Sequence, residues 1–383
     1  MHIAQGDLIG AAGHDPAITV FKGIPYAAPP TGALRWRPPA PPLPWSGVRR
    51  ADTFGPSAMQ ADVRSFGPWT GEYMFRNNVS EDCLTLNVWT PARNSGERHA
   101  VFVWIHGGAY FSGSGEVLLY DGEGLAQKGV VVVTINYRLG VFGFLAHPGL
   151  TAESPHHASG NYGLMDQIAA LRWVRENIAA FGGDPHRITV GGQSAGADAV
   201  LHLLVSPEAR GLFDRAIAQS GPWRHSANDP TLAEAEAEGA KFAAAIGAPS
   251  LAELRALPAA ELLARYQAHE FRFRPDVDGW VVPDQITALE TRGQGLEVPL
   301  LTGWVADESS AQPGYGVTTV AAFAADARKA YGDRAPEFLA LYPATTAAAA
   351  GEAQKQSRRD AARADLFWWL NLRAKTGNAK SWS

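Results

Sequence analysis

The residues 192–196, Gly192-Gln193-Ser194-Ala195-Gly196, place a serine in the pattern G-x-S-x-G. Three fixed residues recur by chance, so the flanking sequence decides what the pattern means. Upstream, Ile188-Thr189-Val190 reads as a strand, and downstream 195–205 reads as a helix. A strand, a tight turn and a helix together lift a serine hydroxyl clear of a sheet as a nucleophile. The helix N-terminus behind it offers partial positive charge to a developing oxyanion. A second glycine-rich turn, His106-Gly107-Gly108-Ala109, follows the apolar run 101–105. Small residues there let backbone N–H groups approach a substrate oxygen. Gly108, Ala109 and Ala195 are therefore candidate oxyanion donors.

A serine nucleophile needs a proton acceptor and a carboxylate to orient it, in the chain order Ser, Asp/Glu, His. Asp307 and Glu308 follow the apolar run 298–301, and spacing alone does not choose between them. The order asks for a histidine after Glu308, yet the last of the 11 histidines is His269. His225, four residues beyond Gly221 and just after a strand, is the internal candidate for a substitute base, which requires hydrogen-bond reach to Ser194. His202 lies eight residues into the following helix, about 12 Å along its axis at about 1.5 Å per residue, and is out of reach. His106 reads as a residue that orders the oxyanion loop. His156 and His157 read as loop surface, with no partner at metal-ligand spacing. Tyr110, Phe111 and Trp223 suit an apolar acyl pocket, and core packing suits each of them equally.

The elements that must hold these residues follow from hydrophobic pattern. Run 101–105 is apolar and run 130–137 is rich in β-branched residues, as in parallel strands buried on both faces. Ile168, Leu171, Val174, Ile178 and Phe181 share one face of a helix over 164–181, which Gly182-Gly183-Asp184-Pro185 stops. Further strands are expected at 215–218 and 298–301, so strand and helix alternate in an α/β fold. An insertion over 222–297 carries helices between 231 and 268, as a lid or as a layer on the sheet. The first 80 residues are rich in Pro and Gly, and 29–44 reads as extended surface chain. Near the end, 366–374 reads as an amphipathic helix, after which a strand begins.

A net charge of −5 leaves no basic stripe for nucleic acid. No run approaches the ~18 apolar residues of a membrane span, and the N-terminus lacks a signal peptide's basic start and apolar middle. Cys83 is the only cysteine, so no intrachain disulfide forms. These features point to a cytoplasmic protein, and nothing in the pattern asks for a metal or organic cofactor.

Many ordered segments resemble the type-B carboxylesterase family. They include 21–30 (FKGIPYAAPP), 34–39 (LRWRPP), 80–88 (SEDCLTLNV), 136–140 (NYRLG), 160–167 (GNYGLMDQ), 181–185 (FGGDP) and 219–221 (QSG). The resemblance implies a single α/β-hydrolase domain over 1–383, with a central, mostly parallel sheet. It implies Ser194 as nucleophile, Glu308 as the acid, and Gly108, Ala109 and Ala195 as oxyanion donors acting on a small-molecule carboxylic ester through an acyl-enzyme. This chain departs from the family at Gln193, where many relatives carry Glu, and at Ala109, in place of a third glycine. Ala58 stands where a cysteine usually pairs with the equivalent of Cys83, so a free thiol is expected. The family's C-terminal portion with its Gly-Ala-x-His motif has no counterpart here, and the chain reads as a truncated member. Losing a triad base costs on the order of 10⁶ in turnover, whereas an oxyanion hole alone retains ~10³–10⁴ over water. A hydrolase-fold binding protein without turnover is the rival reading, and an incomplete product of an active esterase is a third.

Overall fold

The computed structural model describes residues 1–383 except 63–64, 66–68, 222–227, 377–379 and 383. Its centre is a nine-stranded sheet. In chain order the strands are β1 (Ala11–Ala12), β2 (Thr19–Pro25), β3 (Thr85–Thr90), β4 (His99–Ile105), β5 (Val130–Ile135), β6 (Gly183–Gln193), β7 (Arg215–Gln219), β8 (Leu300–Gly303) and β9 (Ser381–Trp382). The main helices are α1 (Tyr162–Asn177), α2 (Ala195–Val205), α3 (Leu232–Ala245), α4 (Leu251–Ala256), α5 (Ala259–Gln267) and α6 (Ala347–Thr376). The spatial order is β9-β8-β7-β6-β4-β5-β3-β2-β1. From β9 to β5 every pairing is parallel, and β3, β2 and β1 close the other side antiparallel. A central, mostly parallel sheet with flanking helices is the architecture of the α/β-hydrolase fold.

The register brings strand ends together. Ile135 pairs with Ile105, Gly192 with Ile105, Gln193 with Gln219, and Gln219 with Gly303. The loops at 106–113, 136–140, 194, 220–221 and 304–308 therefore leave the sheet along one edge. The apolar runs explain the burial. All but the first residue of β5 are buried, and Val101, Val103 and Ile105 of β4 are buried on one face. The opposite face is less covered towards β8: Phe102, Trp104 and Ile217 are half-buried and Leu301 is exposed.

Several expected elements change extent. The strand expected at 188–190 runs from Gly183 to Gln193, with a register irregularity between Gly183 and Ile188. The strand expected at 298–301 sits two residues later, at Leu300–Gly303. The helix expected at 366–374 is the end of the 30-residue α6, because the Ala-rich stretch before it is also helical. The strand expected after it is β9, which pairs with Leu300 and Leu301. Gly182 stops the 164–181 helix in a left-handed conformation, φ 74°.

Residues 29–44 form only one short turn, Gly32–Leu34, but they are not all surface. Trp36 is buried and its Nε1 donates to Val141 O at 2.8 Å. Arg35 is buried against Glu81, at 2.6 Å from both carboxylate oxygens, and donates to Leu257 O at 2.7 Å. Here a few tertiary contacts override an exposed-looking composition.

The inserted helices pack as a layer. Thr231 with Glu234, and Ser250 with Glu253, form capping boxes that start α3 and α4. Phe242 of α3 meets Tyr266, Phe271 and Phe273 edge-on at 5.3–5.9 Å and joins the main core. Among the described residues no helix is long and apolar enough to cross a membrane.

A buried ion pair fixes the segment after β5. Asp166 of α1 accepts from Arg138 Nε and Nη2, both at 2.7 Å, and from the Arg138 N–H at 3.0 Å. Removing one partner of such a pair strands the other charge in the core. Asp166→Ala is expected to lower the unfolding free energy by about 3–5 kcal/mol, read from urea denaturation midpoints.

Candidate active site

Ser194 ends β6 and begins α2 with φ 56° and ψ −122°, a conformation that few non-glycine residues adopt. Its N–H donates to Gln219 O at 3.0 Å, and its carbonyl accepts from the Asp198 N–H at 2.9 Å. Gly192 and Gly196 make this turn possible. A Cβ on Gly196 would collide with the carbonyl oxygens of Ile105 and His106, and one on Gly192 would strike the Gly196 backbone. The outcome is an exposed serine whose hydroxyl bonds no described residue.

The glycine-rich loop 106–113, the candidate oxyanion loop, stands beside it. Gly108, Ala109 and Tyr110 all have positive φ, at 108°, 53° and 63°. Gly108 O accepts from the N–H groups of Phe111 and Ser112 at 3.1 and 3.0 Å, which curls the loop back on itself. The N–H groups of Gly108, Ala109 and Ala195 donate to no described residue, which leaves them available to a ligand.

The segment 136–140 is the loop's foundation, a role that motif resemblance alone did not reveal. Tyr137 Oη donates to His106 O at 2.8 Å, and the Gly140 N–H donates to Tyr110 O at 2.7 Å. Asn136 Oδ1 accepts from the Gly115 N–H at 2.7 Å. His106 stacks on Tyr137 at 4.5 Å and its Nδ1–H donates to Gly107 O at 2.8 Å. Burial depresses its pKa to about 4, so the ring is neutral near neutrality and orders the loop as expected.

The structure separates the two candidate carboxylates. Glu308 Oε2 accepts from Ser220 Oγ at 3.0 Å, and Ser220 directly follows β7 with φ 57°. Asp307 turns away to Tyr315 and Arg359, whose hydrogen bonds hold its carboxyl below the usual range. Ser194 and Glu308 thus rise from β6 and from the loop after β8, with β7 between them. Two strand spacings put those strand ends about 10 Å apart. A groove of about 880 Å³ runs along the less covered face of the sheet, lined by Trp104, Gln193, Ile217, Leu301, Trp304 and Glu308, and Ser194 does not line it.

Residues 1–381 match the Carboxylesterase family. The chain belongs to the carboxylesterase family. It is 42% identical over 356 residues to fumonisin B1 esterase of Sphingopyxis macrogoltabida, covering 90% of this chain and 63% of that protein. It is 40% identical to para-nitrobenzyl esterase of Bacillus subtilis strain 168, covering 75% of this chain and 59% of that protein. Acetylcholinesterase of Electrophorus electricus is 39% identical, covering 76% and 48%. A Geobacillus stearothermophilus carboxylesterase of known structure aligns with TM-score 0.80 and 35% identity, over 99% of this chain and 78% of that one. The chain thus spans about half to two thirds of the length of these curated relatives.

For a carboxylesterase-family chain, the placement of its histidines matters most. None of the described histidines hydrogen-bonds Ser194, and His225 and Trp223 lie outside the described residues. Tyr110 is buried, while Phe111 stands exposed at the loop's rim. His156 is exposed and stacks on Trp280 at 3.7 Å. No group of three metal-ligating side chains occurs among the described residues. Cys83 is a buried free thiol, and burial raises its pKa, so it stays protonated.

His202 is out of reach of Ser194, as its helix position implied, but it is far from idle. It is fully buried, with Nε2 3.0 Å from Asp229 Oδ2 and Nδ1 2.8 Å from Asp198 O. Asp198 in turn accepts from Tyr110 Oη at 2.7 Å. The network joins the oxyanion loop to the first turns of α2 and to the inserted segment. No sequence spacing signalled it, because Tyr110, Asp198 and Asp229 meet only in three dimensions. Burial pushes the His202 pKa down, but Asp229 and Asp198 outweigh it and hold the imidazole at about 9.

The linkage runs in one direction. A folded value of about 9 against an unfolded value of about 6.5 stabilises the fold fully below pH 6.5, and this contribution is lost as pH rises through 9. The stability difference between the wild type and His202→Gln is expected to shrink by up to about 3 kcal/mol between pH 6.5 and 9.5. Chemical denaturation across that range checks it.

Proposed function

We propose that this chain hydrolyses carboxylic esters of small molecules, with Ser194 as the nucleophile. Ser194 Oγ attacks the acyl carbon, and the tetrahedral oxygen is received by the N–H groups of Gly108, Ala109 and Ala195. Collapse expels the alcohol and leaves an acyl-serine, which water then hydrolyses. The observation that carries this reading is an exposed Ser194 on a left-handed turn, beside three N–H groups with no described partner. The esterase names of the relatives support the ester as the bond broken.

Glu308 is the proposed orienting acid. It bonds Ser220 and follows a strand two places from that of Ser194, about 10 Å between strand ends, so the base is placed between them, and an imidazole has the length and the two nitrogens to bond both. His225 is the candidate within this sequence. Its role is inferred from its position four residues after Gly221.

Hydrolysis of p-nitrophenyl butyrate by the purified chain tests the reading. Ser194→Ala is expected to fall to background with an unchanged melting temperature, and Glu308→Gln to lose on the order of 10⁴ in kcat. Turnover that survives Ser194→Ala would sink the proposal. A loss of about 10³ or more in His225→Gln assigns the base there, whereas an unchanged rate removes His225 from the mechanism.

A further inference from the structure

Residues 270–274 read Glu270-Phe271-Arg272-Phe273-Arg274 and follow helix α5. Phe271 and Phe273 pack against Phe242, each with ring centroids at 5.3 Å, and Phe273 is buried. The two arginines between and after them are exposed. In extended chain, residues two apart share a side and lie roughly 6–7 Å apart. The packing of the phenylalanines therefore sets two guanidinium groups on the free side.

That side faces the oxyanion loop. Arg272 Cζ lies 5.5 Å from the ring centroid of Phe111, the residue after Tyr110 and two after Ala109. A guanidinium stacked on a ring uses its face and keeps its in-plane N–H groups for an acceptor. Of these, Nη1 donates to Phe271 O at 3.0 Å and the guanidinium also meets the Tyr266 hydroxyl, while among the described residues no carboxylate lies within 4.0 Å of Arg272. Arg274 donates to Asn228 O at 3.2 Å and likewise pairs with no described carboxylate at that distance. It lies near Asp198, whose charge is already met by Tyr110 and His202. What sets Arg272 apart is its place, over the ring of Phe111 at the rim of the glycine-rich loop.

We propose that Arg272, supported by Arg274, is a subsite for a carboxylate carried by the substrate, so that the preferred esters are anionic half-esters of short dicarboxylic acids or esters otherwise bearing a carboxylate near the scissile bond. The inference rests on the ester-hydrolase reading above and narrows its substrate class. A guanidinium fork binds a carboxylate through two parallel hydrogen bonds, and Phe111 holds the fork at the rim. Arg272 touches a remote part of the substrate and is a specificity residue.

The test compares 4-nitrophenyl hydrogen glutarate with 4-nitrophenyl valerate, which are similar in length and differ in the terminal carboxylate. The wild-type ratio of their kcat/KM values is expected to fall about tenfold or more in Arg272→Ala, the scale of one charged hydrogen bond. Arg272→Lys is expected to recover part of the ratio. Raising the salt concentration should lower the ratio in the wild type and hardly move it in Arg272→Ala. An equal ratio in the wild type and Arg272→Ala overturns the proposal. If neither ester is cleaved, the hydrolase reading has failed and calorimetry with monomethyl glutarate decides the subsite on its own. Saturable binding to the full Ser194→Ala chain that disappears in Ser194→Ala/Arg272→Ala supports it, and no binding to Ser194→Ala overturns it.

Discussion

The close approach of three backbones at the end of β6 governs the whole site. The Ile105 carbonyl occupies the space that a side chain at 196 would need, and Gly192 lies against the Gly196 backbone. Only glycine lets strand, turn and helix come so near. Because β4 and β6 pair in parallel with Gly192 opposite Ile105, the same approach sets the loop at 106–113 beside Ser194. The serine and its neighbouring N–H groups are therefore placed by sheet register, and side-chain contacts then hold the loop in shape. A shift of one residue between β4 and β6 would face every one of these groups the wrong way.

Around that contact, buried charged groups meet partners of opposite sign. Arg138 meets Asp166 and the Arg37 carbonyl, while Tyr137 and Gly140 of the same segment support the oxyanion loop. On the far side, His202 bridges Asp198 and Asp229. Buried charges are costly unless paired, so each pair also excludes alternative packings of the loop it touches. The preorganised donors of an oxyanion site depend on this rigidity, because they lower a barrier only when they need not move. The strained φ of Ala109, Tyr110 and Ser194 is the cost that these contacts offset.

Much of this was legible in the residues. The G-x-S-x-G turn between an apolar strand and a helix, the glycine-rich loop after 101–105 and the central parallel strands follow from short-range chemistry that survives in any context. The burial of Arg35 and Trp36 did not follow, because long-range partners decided it. Between Asp307 and Glu308 spacing did not choose, the resemblance implied Glu308, and only the fold shows that Asp307 bonds Arg359 and Tyr315 while Glu308 bonds Ser220.

The sequence by itself determined the nucleophile turn, the candidate oxyanion donors, the alternation of strand and helix and the family, since each is written in residue types a few positions apart. Tertiary structure alone decided which carboxylate bonds Ser220, how 136–140 underpins the loop, and that His202 is tied to Asp229 and Asp198. It also brought Arg272 to Phe111 across 161 positions of chain. The physical reason is common to all of these. Such contacts depend on where the register of the sheet and the packing of the core bring distant side chains, and no local pattern encodes that distance.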